Sequence, residues 1–178
     1  MSGVALPHQA GSLTGVHDMR WIKPLSIALG LAVAAPAMAA SMPANDKLSK
    51  FFLWWNQAYK TPGAYTPENF AKHLTQDATL VLEGKTVING VQQWATHFQK
   101  IQSGGGDVEL VVPFKAVFTK GNMIYNYHVI RSRRAGVTEC ALAAGHAVVK
   151  GGKIASIVLV RADLDKAKGQ TDPECYPD

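Results

Sequence analysis

Residues 70 to 90 read FAKHLTQDATLVLEGKTVING. The stretch 78 to 82 is a short strand-forming run, and Glu83 with Gly84 closes it as a turn into a second extended piece over 86 to 88. Asn89 then stands where a helix cap belongs, and Val91, Trp94, Ala95, Phe98 and Ile101 keep the helical period without a break. A polar start, an apolar strand and one carboxylate before a glycine have the character of a pocket wall. The question is what chemistry that wall carries.

Upstream, Asn45 or Asp46 caps a first helix, with Leu48, Phe51, Phe52, Trp55 and Tyr59 along one face. Pro62 and Gly63 stop it. Thr66, Pro67 and Glu68 start a second helix, whose buried stripe is Phe70 and Leu74. Downstream, four long extended runs cover 108 to 119, 123 to 134, 138 to 150 and 153 to 162, separated by turns around Gly121, Gly136 and Gly151. Loops this short require antiparallel neighbours. Pro113 has no amide to give a ladder and marks a bend in the first run.

Only one stripe of each helix is apolar, so the helices must share one face of one sheet. The fold class is α+β, a strongly curved antiparallel sheet wrapped around three N-terminal helices. This element order, the phrase FAKHLTQDATLVLEG and the ING turn before a helix resemble the nuclear transport factor 2-like superfamily, in its SnoaL-like branch, over residues 46 to 165. The resemblance implies a conical, cystatin-like interior. It leaves function open, because that superfamily holds isomerases, dehydratases, epoxide hydrolases, polyketide cyclases and domains that only bind or assemble.

Its steroid isomerases use a carboxylate base at the end of the first strand, a tyrosine of the first helix and a protonated aspartate on a late strand. In this chain the position of the base falls on Leu82 and that of the aspartate near Ala144, neither of which can do the work. Trp55 and Tyr59 are what the first helix offers. Strand alternation points Glu83 away from Leu82, as a solvated turn residue.

Reading 135 to 137 as a three-residue turn sets His128 opposite Ala144 and His146 opposite Asn126, so both imidazoles face inward. A three-residue turn at 120 to 122 adds Val112, Phe114, Ala116 and Phe118 to that face. His128 or His146 then serves as general base, kept neutral by burial, with Asn126 and Tyr59 orienting a ligand carbonyl or hydroxyl. The alternative for each is a core histidine with a local partner. Trp55, Tyr59, Leu82, Trp94, Phe98, Phe114 and Asn126 are the expected cone walls, and His73 and His97 are expected at helix surfaces. Two histidines without a carboxylate fall short of a catalytic zinc set, so no metal and no cofactor is expected. The outer face, with Tyr125, Tyr127 and the small residues Ala141, Ala143, Gly145 and Ala147, suits a second copy, giving a homodimer. The leading expectation is a small, mostly apolar molecule bound in the cone. The alternatives are an isomerase, dehydratase or hydrolase using a pocket histidine, and an envelope protein-interaction or dimerisation module.

The chain has 178 residues, 47% of them apolar, enough for one domain with a real core. From Met19 it reads MRWIK, then LSIALGLAVAA, then PAMAAS, the layout of a secretory signal peptide with cleavage near Ala39 or Ala40. The apolar run is shorter than the roughly 20 residues of a spanning helix, and Pro36 breaks it. Met19 opens that signal by itself, so residues 1 to 18 read as an upstream extension. The divisions are 1–40, extension and signal; 41–168, the SnoaL-like domain; and 169–178, a polar tail. The location is periplasmic or secreted.

Loss of Arg20, Lys23 and Asp18 takes the 18 basic and 13 acidic residues to 16 and 12, a mild net charge of about +4. Arg131, Arg133 and Arg134 form the one basic cluster, read as a solvated strand end; no nucleic-acid groove is implied. An even pair of cysteines, Cys140 and Cys175, favours one disulfide in an oxidising compartment, with two free thiols as the alternative.

Overall fold

The structure, a computed structural model, describes residues 44–176. The signal-peptide reading lies outside them. Helix α1 (Lys47–Tyr59) begins where the Asp46 carboxylate accepts from the amides of Leu48 and Ser49. Helix α2 (Pro67–Phe70) is a single turn whose cap, Thr66, accepts from Asn69. It stops at Phe70, and Leu74, expected on its buried stripe, instead opens strand β1 (Leu74–Leu82). Both residues are still buried, because the strand enters the same core that the helix leaves. Strand β2 (Lys85–Asn89) leads to helix α3 (Val91–Ser103). The cap of α3 is Gly90 at φ 81°, one residue later than expected, and the Gln93 side chain accepts from the Asn89 amide instead.

Five strands follow: β3 (Asp107–Leu110), β4 (Ala116–Lys120), β5 (Met123–Arg134), β6 (Val137–Lys150) and β7 (Lys153–Leu164). The run through Pro113 is two strands rather than one, paired with successive halves of β5. The sheet order is β2-β1-β7-β6-β5-β3, antiparallel except where β1 lies parallel to β7. The aromatic stripes of α1 and α3 fill its concave side, with Phe51, Trp55, Phe70, Trp94 and Ile157 in one continuous core.

The hairpin between β5 and β6 corrects the expected register. Its turn has two residues, Ala135 at φ 50° and Gly136 at φ 78°, so Arg134 pairs with Val137, His128 with Ala143 and Tyr125 with His146. Positive φ at both positions matches the right-handed twist of the strands, and that match outweighs the roughly 1–2 kcal/mol cost of alanine in the left-handed region. A shift of one residue reverses every side chain of β6. Ala141, Ala143, Gly145 and Ala147 therefore face the helices, and Ala144 and His146 face out. The turn at Gly121 and Asn122 also has two residues, with Lys120 paired to Met123. Ala116 and Phe118 are turned outward for the same reason, whereas Phe114, ahead of β4, stays buried and Val112 packs against the core.

On the convex side Val129, Cys140 and Cys175 form a second small cluster, joined by Leu142, Leu164 and Tyr176. The disulfide Cys140–Cys175, with Cα atoms 5.7 Å apart, holds the tail there. Arg131 donates to the Glu174 carbonyl at 2.9 Å and Lys115 meets Asp172 at 3.0 Å. Arg131 thus binds the tail and Glu109 rather than water, while Arg133 and Arg134 are exposed.

Candidate functional site

A cavity of about 230 Å³ lies between the helices and the concave face. Helix α1 contributes Phe51, Phe52 and Trp55, and α3 contributes Trp94, His97, Phe98 and Ile101. Leu80 and Leu82 of β1, Val108 and Leu110 of β3, and Ile157, Leu159 and Arg161 of β7 supply most of the remaining wall. Of the residues named from sequence, Trp55, Leu82, Trp94 and Phe98 line this space. Tyr59, Phe114, Asn126, His128 and His146 do not border it.

His128 is fully buried one layer deeper. Its Nδ1 lies 3.1 Å from the Asn126 amide oxygen, so the neutral ring donates from Nδ1 and leaves Nε2 as an acceptor with no protein partner. The rings of Phe52 and Phe114 close on it, with centroids at 5.1 and 5.3 Å. Burial holds its pKa down at about 4. Phe52 lines the cavity and covers His128, so it stands between the imidazole and any occupant. His146 lies on the convex face beside Tyr125, centroids 5.7 Å apart. Only one of the two imidazoles is interior, and the one-residue turn difference is the cause.

Tyr59 packs on Trp55 and Tyr65, with its hydroxyl buried and without a protein partner; burial, and then Asp107, raises its pKa. The Trp55 indole N–H is likewise buried without a partner. The late-strand positions that face inward beside Ala144 are Ala143 and Gly145, neither of which carries a hydrogen-bonding side chain. Glu83, in the left-handed turn after β1, accepts from the Arg161 amide and so fastens the β1 turn to β7. Glu139 and Asp163 share the concave side of the sheet but are exposed at its open end. Among the described residues no three His, Cys, Asp or Glu side chains converge as a metal site, and no helix is long and apolar enough to cross a membrane.

The two polar lining residues, His97 and Arg161, were not among the expected cone walls. His97 borders the cavity from the helical face it shares with Trp94 and Ile101, and that spacing was legible. Burial, and then Lys100, lowers its pKa. Arg161 continues the alternation of Ile157 and Leu159 along β7 and brings a cation to the edge of the cavity. His73, expected on a helix surface, sits in the turn before β1, stacked on Trp54 at 4.6 Å.

No family model and no curated protein matches the sequence. Solved structures do. A nuclear transport factor 2-like protein of unknown function from Exiguobacterium sp. 255-15 superposes with a TM-score of 0.54 at 15% identity, covering 66% of this chain and 98% of its own. A candidate polyketide cyclase from Acidithiobacillus ferrooxidans gives 0.50 at 10% identity, covering 66% and 89%. The chain has the nuclear transport factor 2-like fold.

Proposed function

We propose that the chain is an exported SnoaL-like domain that binds a small, mostly apolar molecule in the cavity between its helices and its curved sheet. The observation that carries this reading is the lining itself: aromatic and aliphatic side chains throughout, with His97 and Arg161 the sole polar residues. Such a wall binds by burying apolar surface, with a few polar groups fixing orientation. Turnover is a weaker reading, since His128, the fully buried histidine among the described residues, is covered by Phe52 and is a weak base with its pKa held at about 4. The disulfide fits an oxidising location. Export is tested by the intact mass of the mature protein, which is expected to begin at Ala40 or Ser41; a retained residue 19 would contradict it.

Binding is tested by calorimetric titration with naphthylmethanol, a flat apolar probe. The wild-type protein is expected to bind it, and Leu82→Trp, which pushes an indole into the space, is expected to weaken binding by about tenfold or more with the fold intact. Equal binding by both proteins would place the probe elsewhere.

The convex face favours a second activity for the same domain. Phe118 and Val160 are 60% and 56% exposed beside Tyr125 and Tyr127, an apolar patch that suits a second copy of the chain. Sedimentation is expected to show a dimer that Phe118→Glu dissociates; a monomer at every concentration would remove this reading.

A further inference from the structure

We infer that the cavity selects a carboxylic acid with a flat apolar body, and that Arg161 is the residue that reads the carboxylate. The inference rests on the proposed binding function and specifies its ligand class. Three observations lead to it.

The polar groups offered to an occupant are mostly donors. Arg161 carries only N–H groups, the buried Trp55 N–H has no protein partner, and the sole lining residue able to accept is the neutral ring of His97. Donors of this kind leave apolar cations and amines unmatched and favour an oxygen acceptor.

Arg161 is also placed and oriented for the task. It borders both the cavity and the wider open hollow, about 480 Å³, at the end of the sheet, so it sits where an occupant's polar end meets solvent. Its Nε pairs with Asp163 at 3.2 Å, and the Glu83 carboxylate holds its backbone amide. Both Nη groups are left without partners among the described residues, a fork that suits two carboxylate oxygens. Asp163 is a positioning residue in this scheme. Lys would present one point charge in place of that fork.

The size and walls of the space set the body of the ligand. At about 230 Å³ it exceeds the roughly 150 Å³ that accommodates benzene in an engineered protein cavity. Phe51, Phe52, Trp55, Trp94 and Phe98 present ring faces and edges to it, which fits one or two fused rings better than a long chain. The net charge, +5 for the whole chain and mildly positive after loss of the signal, draws anions toward the protein.

The test compares naphthoate with naphthylmethanol, two probes of matched shape, by calorimetry at neutral pH on the wild-type protein, Arg161→Gln and Arg161→Lys. Naphthoate is expected to bind the wild type roughly fivefold to tenfold more tightly than the alcohol, a preference scaled to a half-exposed cation. Arg161→Gln is expected to abolish that preference, bringing naphthoate to no tighter binding than naphthylmethanol in the same variant, and Arg161→Lys to restore it in part. Equal affinity for both probes in the wild type, or a preference that survives in Arg161→Gln, overturns the inference while the cavity reading stands. Failure of both probes to bind overturns both. Because Arg161 is 52% exposed, all three proteins are expected to melt together, so a change in binding reads recognition rather than folding.

Discussion

Gly145→Ala is expected to destabilise the domain by more than about 3 kcal/mol or to prevent folding, the largest effect of any single methyl group added to this sheet. Gly145 lies in the middle of β6 on the concave side, opposite Asn126 on β5 and Leu159 on β7. A Cβ built there overlaps the carbonyl oxygen of Val158, and the next atoms it meets, Val158 C and Leu159 Cα, are also backbone. No side chain can rotate away. The overlap is relieved only by moving β7 away from β6. Urea unfolding checks this directly. Ala144→Gly, the neighbouring outward position, is expected to cost about 1 kcal/mol or less. A Gly145→Ala protein within half a kcal/mol (roughly) of wild type would mean that the strands do not approach as described.

The second large effect is a loss of stability in mild acid that depends on His128. Its pKa in the folded protein is held at about 4 by burial, against 6.5 for an unperturbed ring. The unfolded chain therefore binds the proton more readily. His128 supports the fold fully above pH 6.5, support declines as the pH falls from 6.5 toward 4, and below 4 no more is lost at this residue. The full swing is about 3 kcal/mol from a depression of this size. Among the described residues no charged group is found against it: its near neighbours are Asn126, Phe52 and Phe114. His73 and His97 are depressed in the same direction, chiefly by partial burial and then by nearby lysines. Denaturation at pH 7 and pH 4.5 is expected to show a smaller difference for His128→Gln than for wild type by about 2 kcal/mol, whatever the substitution costs at neutral pH. An unchanged difference would show that the ring is reached by water.

The helices were legible because each of their faces is set by local chemistry. Asp46 and Thr66 are caps whose partners lie within three residues, and the apolar period from Phe51 to Trp55 and from Val91 to Ile101 has one way to be buried. The cysteine pair was legible from its even count. What could not be read was the register of β6. A loop spelled Arg134-Ala135-Gly136-Val137 accommodates two or three turn residues, and the structure takes the shorter one by placing alanine at positive φ, against its local preference. That single difference put His146 outside and turned Ala141, Ala143, Gly145 and Ala147 inward, where Ala144 and His146 were expected. Trp55, Leu82, Trp94 and Phe98 were found because they belong to well-determined elements. Arg161 was not singled out, because its role follows from the parity of β7 beyond the apolar run.

Binding inside the curved sheet is tested most directly by a crystal structure of the protein grown with bromonaphthol, in which the bromine reports the site independently of its surroundings. The account predicts the ring between Trp55, Trp94 and Leu159. A ring found only against Phe118 and Tyr125 on the convex face, or no bound ring at saturating concentration, would contradict it.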